Sequence, residues 1–347
     1  MERDVQLDIY RGLAMIYIVC VIHLLYWFDF GSEPLLSCLL FEMPVIFFIT
    51  GASYSLGSRQ RTLGAMMWSR FKRVMVPYYV YALVMVLLVA VGYVVVRRLG
   101  FLYRPLVGAD IAAHYTFDIT SYTWSDVLDI LLAQDIAESP FVLHLWFIMV
   151  YMVLSCTFPL QQKLMQRCGH PWVYAVGSLV LFAAVSQLTE LPFVRNVFCY
   201  NVFLVIGYLF YRRLPVRLVC VAALCAGGAL WWLVDDGFTR MQDHKFPPDL
   251  LFLCFGLLAL SVLALVFSYL KLPRTRIVEL WNQRGFNIYL YQSVVFFVAY
   301  IFKGHLVHHV HSHALQCALC LALVFVLSTL LSFVTSPLER RVLRRLP

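Results

Sequence analysis

Charged side chains are scarce in this sequence. Only 13% of its 347 residues are Asp, Glu, Lys or Arg, whereas 62% are hydrophobic, and the mean hydropathy is +0.80. Soluble globular domains carry about 25% charged residues. The composition therefore excludes an ordinary water-soluble domain and predicts an all-α, polytopic membrane bundle.

The N-terminal residues do not show the pattern of a cleavable leader. Its first residues, "MERDVQLDIYRG", hold no basic region followed by a small-residue cleavage site, so we expect the first apolar segment to stay as a membrane anchor. A spanning helix needs about 20 mostly apolar residues, and we expect residues 1–347 to form one membrane domain. The segments that fit lie at about 9–29, 35–56, 75–96, 141–162, 172–188, 194–211, 216–234, 250–270, 285–302 and 314–335.

Neither the cysteines nor the histidines show the spacing of a metal site. The ten cysteines are scattered, and the one close pair, Cys317 and Cys320, has no second pair or histidine beside it. The string "HLVHHVHSH" at 305–313 contains no cysteine or acid, so a solvated loop is the better interpretation. We expect packing roles for the cysteines and no metal.

The basic residues are unevenly placed along the chain. With the N-terminus in the cytosol, most of the 27 Lys and Arg residues fall in the inner segments. The positive-inside rule then predicts a multi-pass protein of the inner or plasma membrane with both termini cytosolic. The net charge of +8 reflects this basic rim, which contacts membrane lipid, and does not imply nucleic-acid binding.

One outer connection, about 97–140, is longer than the rest. Within it, apolar residues recur at helical spacing opposite Asp126 and Asp129, a pattern typical of an amphipathic helix on the membrane surface. A lid over an outward-facing site is the functional alternative. The apolar residues are Trp124, Val127, Leu128, Leu131 and Leu132.

Two ionisable residues lie inside the first two predicted spans. His23 follows Arg11 by 12 residues, about 18 Å along a helix, and Glu42 lies about 11 Å below the outer end of the returning span. These depths are similar enough for contact. A carboxylate beside an imidazole fixes its tautomer and raises its basicity, so the pair could deprotonate a hydroxyl. The alternative is a His23 bond to a backbone carbonyl, with Glu42 protonated.

The cytosolic side offers a candidate anion site. Arg11 lies at the predicted interface, where contact with lipid phosphate is the ordinary interpretation. The connection "SRQRTLGAMMWSRFKR" carries more cations than topology requires, and guanidinium groups suit the phosphates of a nucleotide-like donor. The residues alone favour neither interpretation, a positive-inside signal or a phosphate site, over the other. The cations are Arg59, Arg61, Arg70, Lys72 and Arg73.

The later predicted spans contain a few further polar residues. His144 and Trp146 open the fourth span near the outer face, where residues of the interfacial belt are common, and substrate binding is the second interpretation. Asn287 and Gln292 are neutral and suit hydrogen bonds between helices.

Taken in order, several blocks of the sequence resemble the integral-membrane acyltransferase 3 family, whose members O-acylate surface or secreted sugars. The blocks are "LDIYRGLAMIYIVCVIH", "FEMPVIFFITGASYSLG", "SRFKRVMVPYYVYAL", "LHLWFIMVYMV", "NVFLVIGYLFYRR" and "GFNIYLYQSVV". The resemblance implies a ten-helix bundle that moves an acyl group, usually acetyl from cytosolic acetyl-CoA, to a sugar or lipid-linked glycan at the extracytoplasmic face.

The resemblance also implies roles for individual residues. The family's arginine and histidine of the first span fall on Arg11 and His23. Its basic motif falls on Arg70, Lys72 and Arg73, which favours donor-phosphate binding, and its histidine before "LWF" falls on His144. With Glu42 orienting it, His23 would deprotonate the acceptor or carry the acyl group briefly. The alternative function, from another class, is a proton-coupled transporter or exporter of a small anionic glycan or lipid intermediate.

Two positions depart from the family pattern. Eleven residues separate Arg11 from His23, where the family usually has ten. In an ideal α-helix that one residue changes the angle between the two side chains from about 20° to about 120°. Either the helix contains a π-bulge, or the two residues do not face one cavity. Many relatives also have a histidine where this sequence has Gln292, which puts a proton-relay role there in doubt.

Overall fold

The computed structural model describes residues 4–57, 62–107, 123–132, 143–234 and 239–345. These residues are almost entirely helical, and the described part of the chain contains no strand. An all-α architecture suits a lipid bilayer, because a helix satisfies its own backbone hydrogen bonds. The fold class expected from the sequence is confirmed.

The helices occupy every position at which a span is predicted. In chain order they are α1 Val5–Ile16, a π-helix Tyr17–His23, α2 Leu24–Trp27, α3 Glu33–Leu39, α4 Glu42–Ser55, α5 Leu63–Val107, α6 Trp124–Leu132, a 3-10 turn Leu143–Leu145, α7 Trp146–Cys168, α8 Pro171–Leu188, α9 Pro192–Phe210, α10 Val216–Leu233, α11 Met241–Lys245, α12 Leu250–Tyr269, α13 Arg276–His309 and α14 His313–Arg345.

Eight helical segments of the described chain are long and apolar enough to cross a membrane. A ninth, Trp172–Leu188, is apolar but shorter. At the remaining predicted position, 141–162, the structure has α7, whose second half carries Gln161, Gln162 and Lys163. Eight of the ten expected spans therefore meet both conditions of length and composition.

The second span is broken. Helix α3 ends at Leu39, and α4 begins at Glu42. Pro44 lies in the first turn of α4, where its missing N–H removes no helical hydrogen bond. The break therefore places Glu42 at the first residue of a new helix inside a membrane-spanning segment.

The chain divides into two compact units, and the first comprises Met1–Ile18, Gly31–Met66 and Thr157–Gln283. Its tightest packing joins α4 to α9. A Cβ atom built on Gly51 would lie 1.9 Å from the backbone oxygen of Leu204, and one on Gly207 would lie 2.0 Å from that of Phe48. Only glycine permits this approach of two backbones, a device common between membrane helices.

The second unit comprises Val19–Phe30, Met67–Cys156 and Arg284–Pro347. Large aromatic side chains fill its interior. Phe28, Tyr78, Tyr81 and Tyr289 are each at most 1% exposed. The Tyr78 hydroxyl donates a hydrogen bond to the backbone oxygen of Ile130, which ties α6 to α5.

Helix α6 confirms the amphipathic helix predicted in the long outer connection. Trp124 is 84% exposed, and Leu128 and Leu132 are both more than half exposed. These residues recur every fourth position and therefore share one face. An exposed apolar face of this kind suits contact with lipid, and the role as surface anchor or lid stays a prediction.

Candidate functional site

His23 lies at the last residue of the π-helix and belongs to the second unit. Its Nδ1 atom is 2.8 Å from Oε1 of Gln292, on α13. An amide oxygen only accepts hydrogen bonds, so Nδ1 of the neutral ring must carry the hydrogen. The Nε2 atom is then the unprotonated nitrogen, which is the form of imidazole that takes up a proton.

Two aromatic rings hold the imidazole in place. Trp27, one helical turn further along, stacks on His23 with 5.2 Å between ring centroids. Tyr289 lies at 5.8 Å in a tilted arrangement. Trp27 in turn meets Phe296 edge to face at 4.7 Å. The ring of His23 is therefore oriented by its hydrogen bond to Gln292 and by the flat rings of Trp27 and Tyr289.

A second histidine borders the same rings. His144 is only 3% exposed, and its centroid lies 5.4 Å from that of Tyr289 and 6.1 Å from that of Trp27. Its Nε2 atom donates to the backbone oxygen of Leu290 at 3.2 Å, while the Tyr289 hydroxyl donates to the backbone oxygen of His144. We call His23, Trp27, His144, Tyr289 and Gln292 the histidine cluster.

Two buried polar atoms of the histidine cluster have no hydrogen-bond partner among the described residues. They are Nδ1 of His144 and Nε2 of Gln292. Because Nε2 of His144 carries its hydrogen, Nδ1 is an acceptor that lacks a donor, whereas the Gln292 amide is a donor that lacks an acceptor. Most buried polar groups are satisfied, so these two atoms are candidate positions for hydrogen bonds to a polar substrate.

Trp146, the other residue expected to bind substrate, begins α7. It is half-buried, and its ring lies 6.4 Å from that of Phe147. Phe147 packs edge to face on Tyr289 at 4.7 Å. Trp146 is therefore two side chains removed from His23 along this chain of rings, and substrate binding by it stays a prediction.

Glu42 belongs to the first unit and is 2% exposed. Its Oε1 atom accepts a hydrogen bond from the ammonium of Lys245, which is also buried. Its Oε2 atom has no partner among the described residues. Sequence reasoning missed Lys245, which lies in a polar connection far from Glu42 in the chain. The expected pairing of Glu42 with His23 joins residues of different units and stays a prediction.

Arg11 is partnered within the first unit. One guanidinium nitrogen donates to Asp8 and to Asn282, each at 3.2 Å, and the other donates to the hydroxyl of Ser53. The nearby pocket is lined by Val5, Asp8, Ile9, Arg274, Val278, Glu279 and Asn282. The carboxylates of Asp8 and Glu279 in this pocket would repel an anionic ligand. A contribution of Arg11 to phosphate binding therefore rests on the sequence resemblance and stays a prediction.

The basic motif lies on a helix and not in a connection, since α5 begins at Leu63. Arg70 and Arg73, three residues apart, share a face, and Arg70 donates to the backbone oxygen of Ser155 at 3.1 Å. Two residues after Arg70, Lys72 places its ammonium 5.6 Å from the ring centroid of Trp68. The other two cations, Arg59 and Arg61, lie outside the described residues.

The π-helix provides the bulge that the spacing of Arg11 and His23 calls for. A π turn advances fewer degrees per residue than an α turn, because its bonds join residues five apart. In a helix with one seven-residue π segment, side chains 12 residues apart return to within roughly 20° of one direction. The bulge is confirmed, and a shared cavity stays a prediction.

Asn287 confirms its predicted role between helices. Its side chain donates to Glu339 at 2.6 Å and accepts from Thr335 at 2.7 Å, both on α14. Gln292 also bonds to another helical segment, and its partner there is the candidate catalytic residue His23. The sequence did not predict this contact. Among the described residues no three His, Cys, Asp or Glu side chains come together as a metal-binding group.

Comparison with protein families gives a match over nearly the whole chain. The family model for the acyltransferase 3 group, described as an acyltransferase domain, covers residues 4–336. The match spans nearly the whole chain, so the protein belongs to this family of membrane acyltransferases. Neither the curated proteins nor the solved structures gave a match.

Proposed function

We propose that this protein is an O-acyltransferase that moves an acyl group, in the first place acetyl, from acyl-CoA to a sugar hydroxyl of a surface or lipid-linked glycan. Membership of the acyltransferase family supports the reaction class. The observation that carries the proposal is the hydrogen bond between His23 Nδ1 and Gln292 Oε1, because it places the ring hydrogen on Nδ1 and makes Nε2 the basic nitrogen of the neutral ring.

In the proposed reaction the acceptor hydroxyl attacks the carbonyl carbon of the thioester. Its proton passes to Nε2 of His23 as the C–O bond forms. The tetrahedral intermediate then collapses, the C–S bond breaks, and the imidazolium returns the proton to the sulfur, so that CoA leaves as a thiol. A single base can carry out both proton transfers, as it does in other acyl transfers.

His144 supports the acceptor side of this reaction. Its Nδ1 atom is buried and lacks a donor, and a sugar hydroxyl is a donor that fits it. The hydrogen bond that Nε2 donates to the backbone oxygen of Leu290 places the ring hydrogen on Nε2 and leaves Nδ1 unprotonated. We assign His144 to acceptor binding and orientation, beside the ring of Tyr289 that it shares with His23.

The donor side is assigned to the basic motif. Arg70 and Arg73 present two guanidinium groups on one face of α5, and such groups bind phosphate with strong charge-assisted hydrogen bonds. We propose that they hold the phosphates of CoA at the cytosolic membrane surface. The thioester arm then extends into the bundle toward His23, and the acylated sugar leaves at the outer face.

Transfer by the purified protein tests the proposal. Proteoliposomes receive radiolabelled acetyl-CoA together with a mixture of methyl glycosides, and the sugar fraction is examined for an alkali-labile labelled ester. We expect labelled ester in excess of that formed by empty liposomes. No ester, with no release of CoA from any acyl-CoA tried, contradicts the proposed function.

A further inference from the structure

The side-chain amide of Gln292 presents two groups with different chemistry. Its oxygen accepts the hydrogen on Nδ1 of His23. Its nitrogen is fully buried with the rest of the residue and has no hydrogen-bond partner among the described residues. Both atoms belong to one planar group, so the unpaired N–H donor lies beside the catalytic ring, in the second unit that contains both residues.

The two unpaired atoms of the histidine cluster differ in what they require. Gln292 Nε2 requires an acceptor, and His144 Nδ1 requires a donor. An acyl carbonyl oxygen is an acceptor, and a sugar hydroxyl is a donor. The donor on Gln292 and the acceptor on His144 therefore match the two functional groups that an O-acyl transfer brings together.

Charge develops on the carbonyl oxygen when the hydroxyl attacks. A fixed amide N–H in a buried site stabilises that charge without reorganising, which is how side-chain amides act in other acyl transfers. Gln292 is held in place, because its oxygen is occupied by His23 and its side chain is fully enclosed.

We infer that Gln292 is a catalytic residue that donates a hydrogen bond from Nε2 to the oxyanion of the tetrahedral intermediate, while its Oε1 fixes the tautomer of His23. The inference rests on the proposed acyl transfer and adds the group that stabilises its transition state. It also explains why a neutral amide, and not a carboxylate, contacts this histidine.

The replacement Gln292→Glu separates the two functions of the amide. The carboxylate still accepts from Nδ1 of His23 but has no N–H to give, and its charge opposes the oxyanion. We expect kcat for labelled acetyl transfer to fall about 100-fold to 1000-fold, with KM for acetyl-CoA within threefold of wild type.

The outcomes are distinct. If Gln292 only positions His23, Gln292→Glu keeps at least a third of the wild-type kcat, and the inference is overturned. If wild-type protein transfers nothing, the proposed function fails instead. Should Gln292→Glu not fold, Gln292→Met replaces it in the test, because methionine keeps the shape of the side chain without the amide. A loss of kcat of less than tenfold then overturns the inference.

Gln316→Glu is the matched control. Gln316 is a buried glutamine of α14 that donates a hydrogen bond to the backbone oxygen of Val310, and we expect the kcat of this variant to stay within twofold of wild type.

Discussion

At the scale of single residues, the hydrogen bond between His23 and Gln292 determines which ring nitrogen carries a hydrogen. The two residues are 269 positions apart in the chain, so no local pattern could have paired them. Hydropathy and spacing identified His23 as a polar group inside a span, whereas its partner emerges only from the packing of α13 against the end of the π-helix. Glu42, the partner that the sequence suggested for His23, accepts a hydrogen bond from Lys245, and its pairing with His23 stays a prediction.

The buried pair of Glu42 and Lys245 allows a stability prediction. Replacing Lys245 with Met leaves the Glu42 carboxylate buried without its counter-charge, and loss of one partner of such a pair costs roughly 3–5 kcal/mol. We expect Lys245→Met to lower the melting temperature in detergent clearly, and the double replacement with Glu42→Gln to recover much of the loss. Thermal unfolding followed by tryptophan fluorescence measures both.

The exposed ion pair of Arg240 and Glu33 provides the matched control, since their side chains are about half exposed. Exposed pairs contribute about 0–1 kcal/mol, so Glu33→Gln should change the melting temperature little. A Lys245→Met variant as stable as Glu33→Gln would show that the buried ion pair does not stabilise the fold.

The basic motif gives a prediction about donor binding. Replacing Arg70, Lys72 and Arg73 together by Ala removes charge-assisted hydrogen bonds to phosphate, each worth about 1.5–3 kcal/mol. We expect the Kd for acetyl-CoA, measured by isothermal titration calorimetry in detergent, to rise at least about tenfold. Lys163→Ala, which removes an exposed cation from α7 on the predicted cytosolic side, should leave Kd unchanged. Equal affinity of the triple variant and wild type would reject the phosphate-binding role.

At the scale of secondary structure, the π-helix Tyr17–His23 accommodates the one residue by which the spacing of Arg11 and His23 exceeds the spacing that the family resemblance implies. The extra residue is absorbed by a wider turn, as insertions in helices often are. The sequence predicted that a bulge or a misaligned histidine must follow from the count. The count limits the bulge to the residues between Arg11 and His23, but the sequence could not place it more narrowly, because the residues from Ile16 to Ile22 offer no Gly or Pro to mark it.

Deleting Val21, a partly exposed residue of the π-helix, tests this account. With ten intervening residues an ordinary α-helix brings the two side chains to about 20° of each other, so we expect transfer within tenfold of wild type. Inserting one Ala at the same point adds about 100° of rotation and should abolish transfer. Labelled acetyl transfer measures both. A deletion as damaging as the insertion would show that the π-helix has a role beyond register.

Hydropathy predicted the positions of most helices, but it did not predict where those helices are interrupted. The break between α3 and α4 falls inside a continuous apolar stretch, and Pro44 gave the only signal of it. The polar second half of α7, with Gln161 and Gln162, explains why that helix does not meet the composition of a span. Contacts such as that between Asn287 and Glu339 depend on two helices that meet in the folded chain, so sequence could suggest only that Asn287 has a partner.

At the scale of the whole molecule, the distribution of Lys and Arg predicts the orientation in the membrane. Both termini should be cytosolic, and the connection at 97–140 should be outside. An epitope tag at the C-terminus should therefore survive protease added to intact cells, whereas a tag inserted after Gly108 should be removed. Permeabilised cells should lose both tags. Removal of the C-terminal tag from intact cells would reverse the orientation and place the basic motif on the wrong side for cytosolic acyl-CoA.

Family membership and the histidine cluster together lead to one central claim: His23 is the base for acyl transfer. The most direct measurement is the single-turnover rate of labelled acetyl transfer by His23→Asn compared with wild type, in proteoliposomes with equal amounts of folded protein. General-base catalysis contributes about 100-fold to 10,000-fold. We predict that His23→Asn loses at least 100-fold in this rate while its Kd for acetyl-CoA stays unchanged. A His23→Asn variant that transfers acetyl at the wild-type rate would contradict the account.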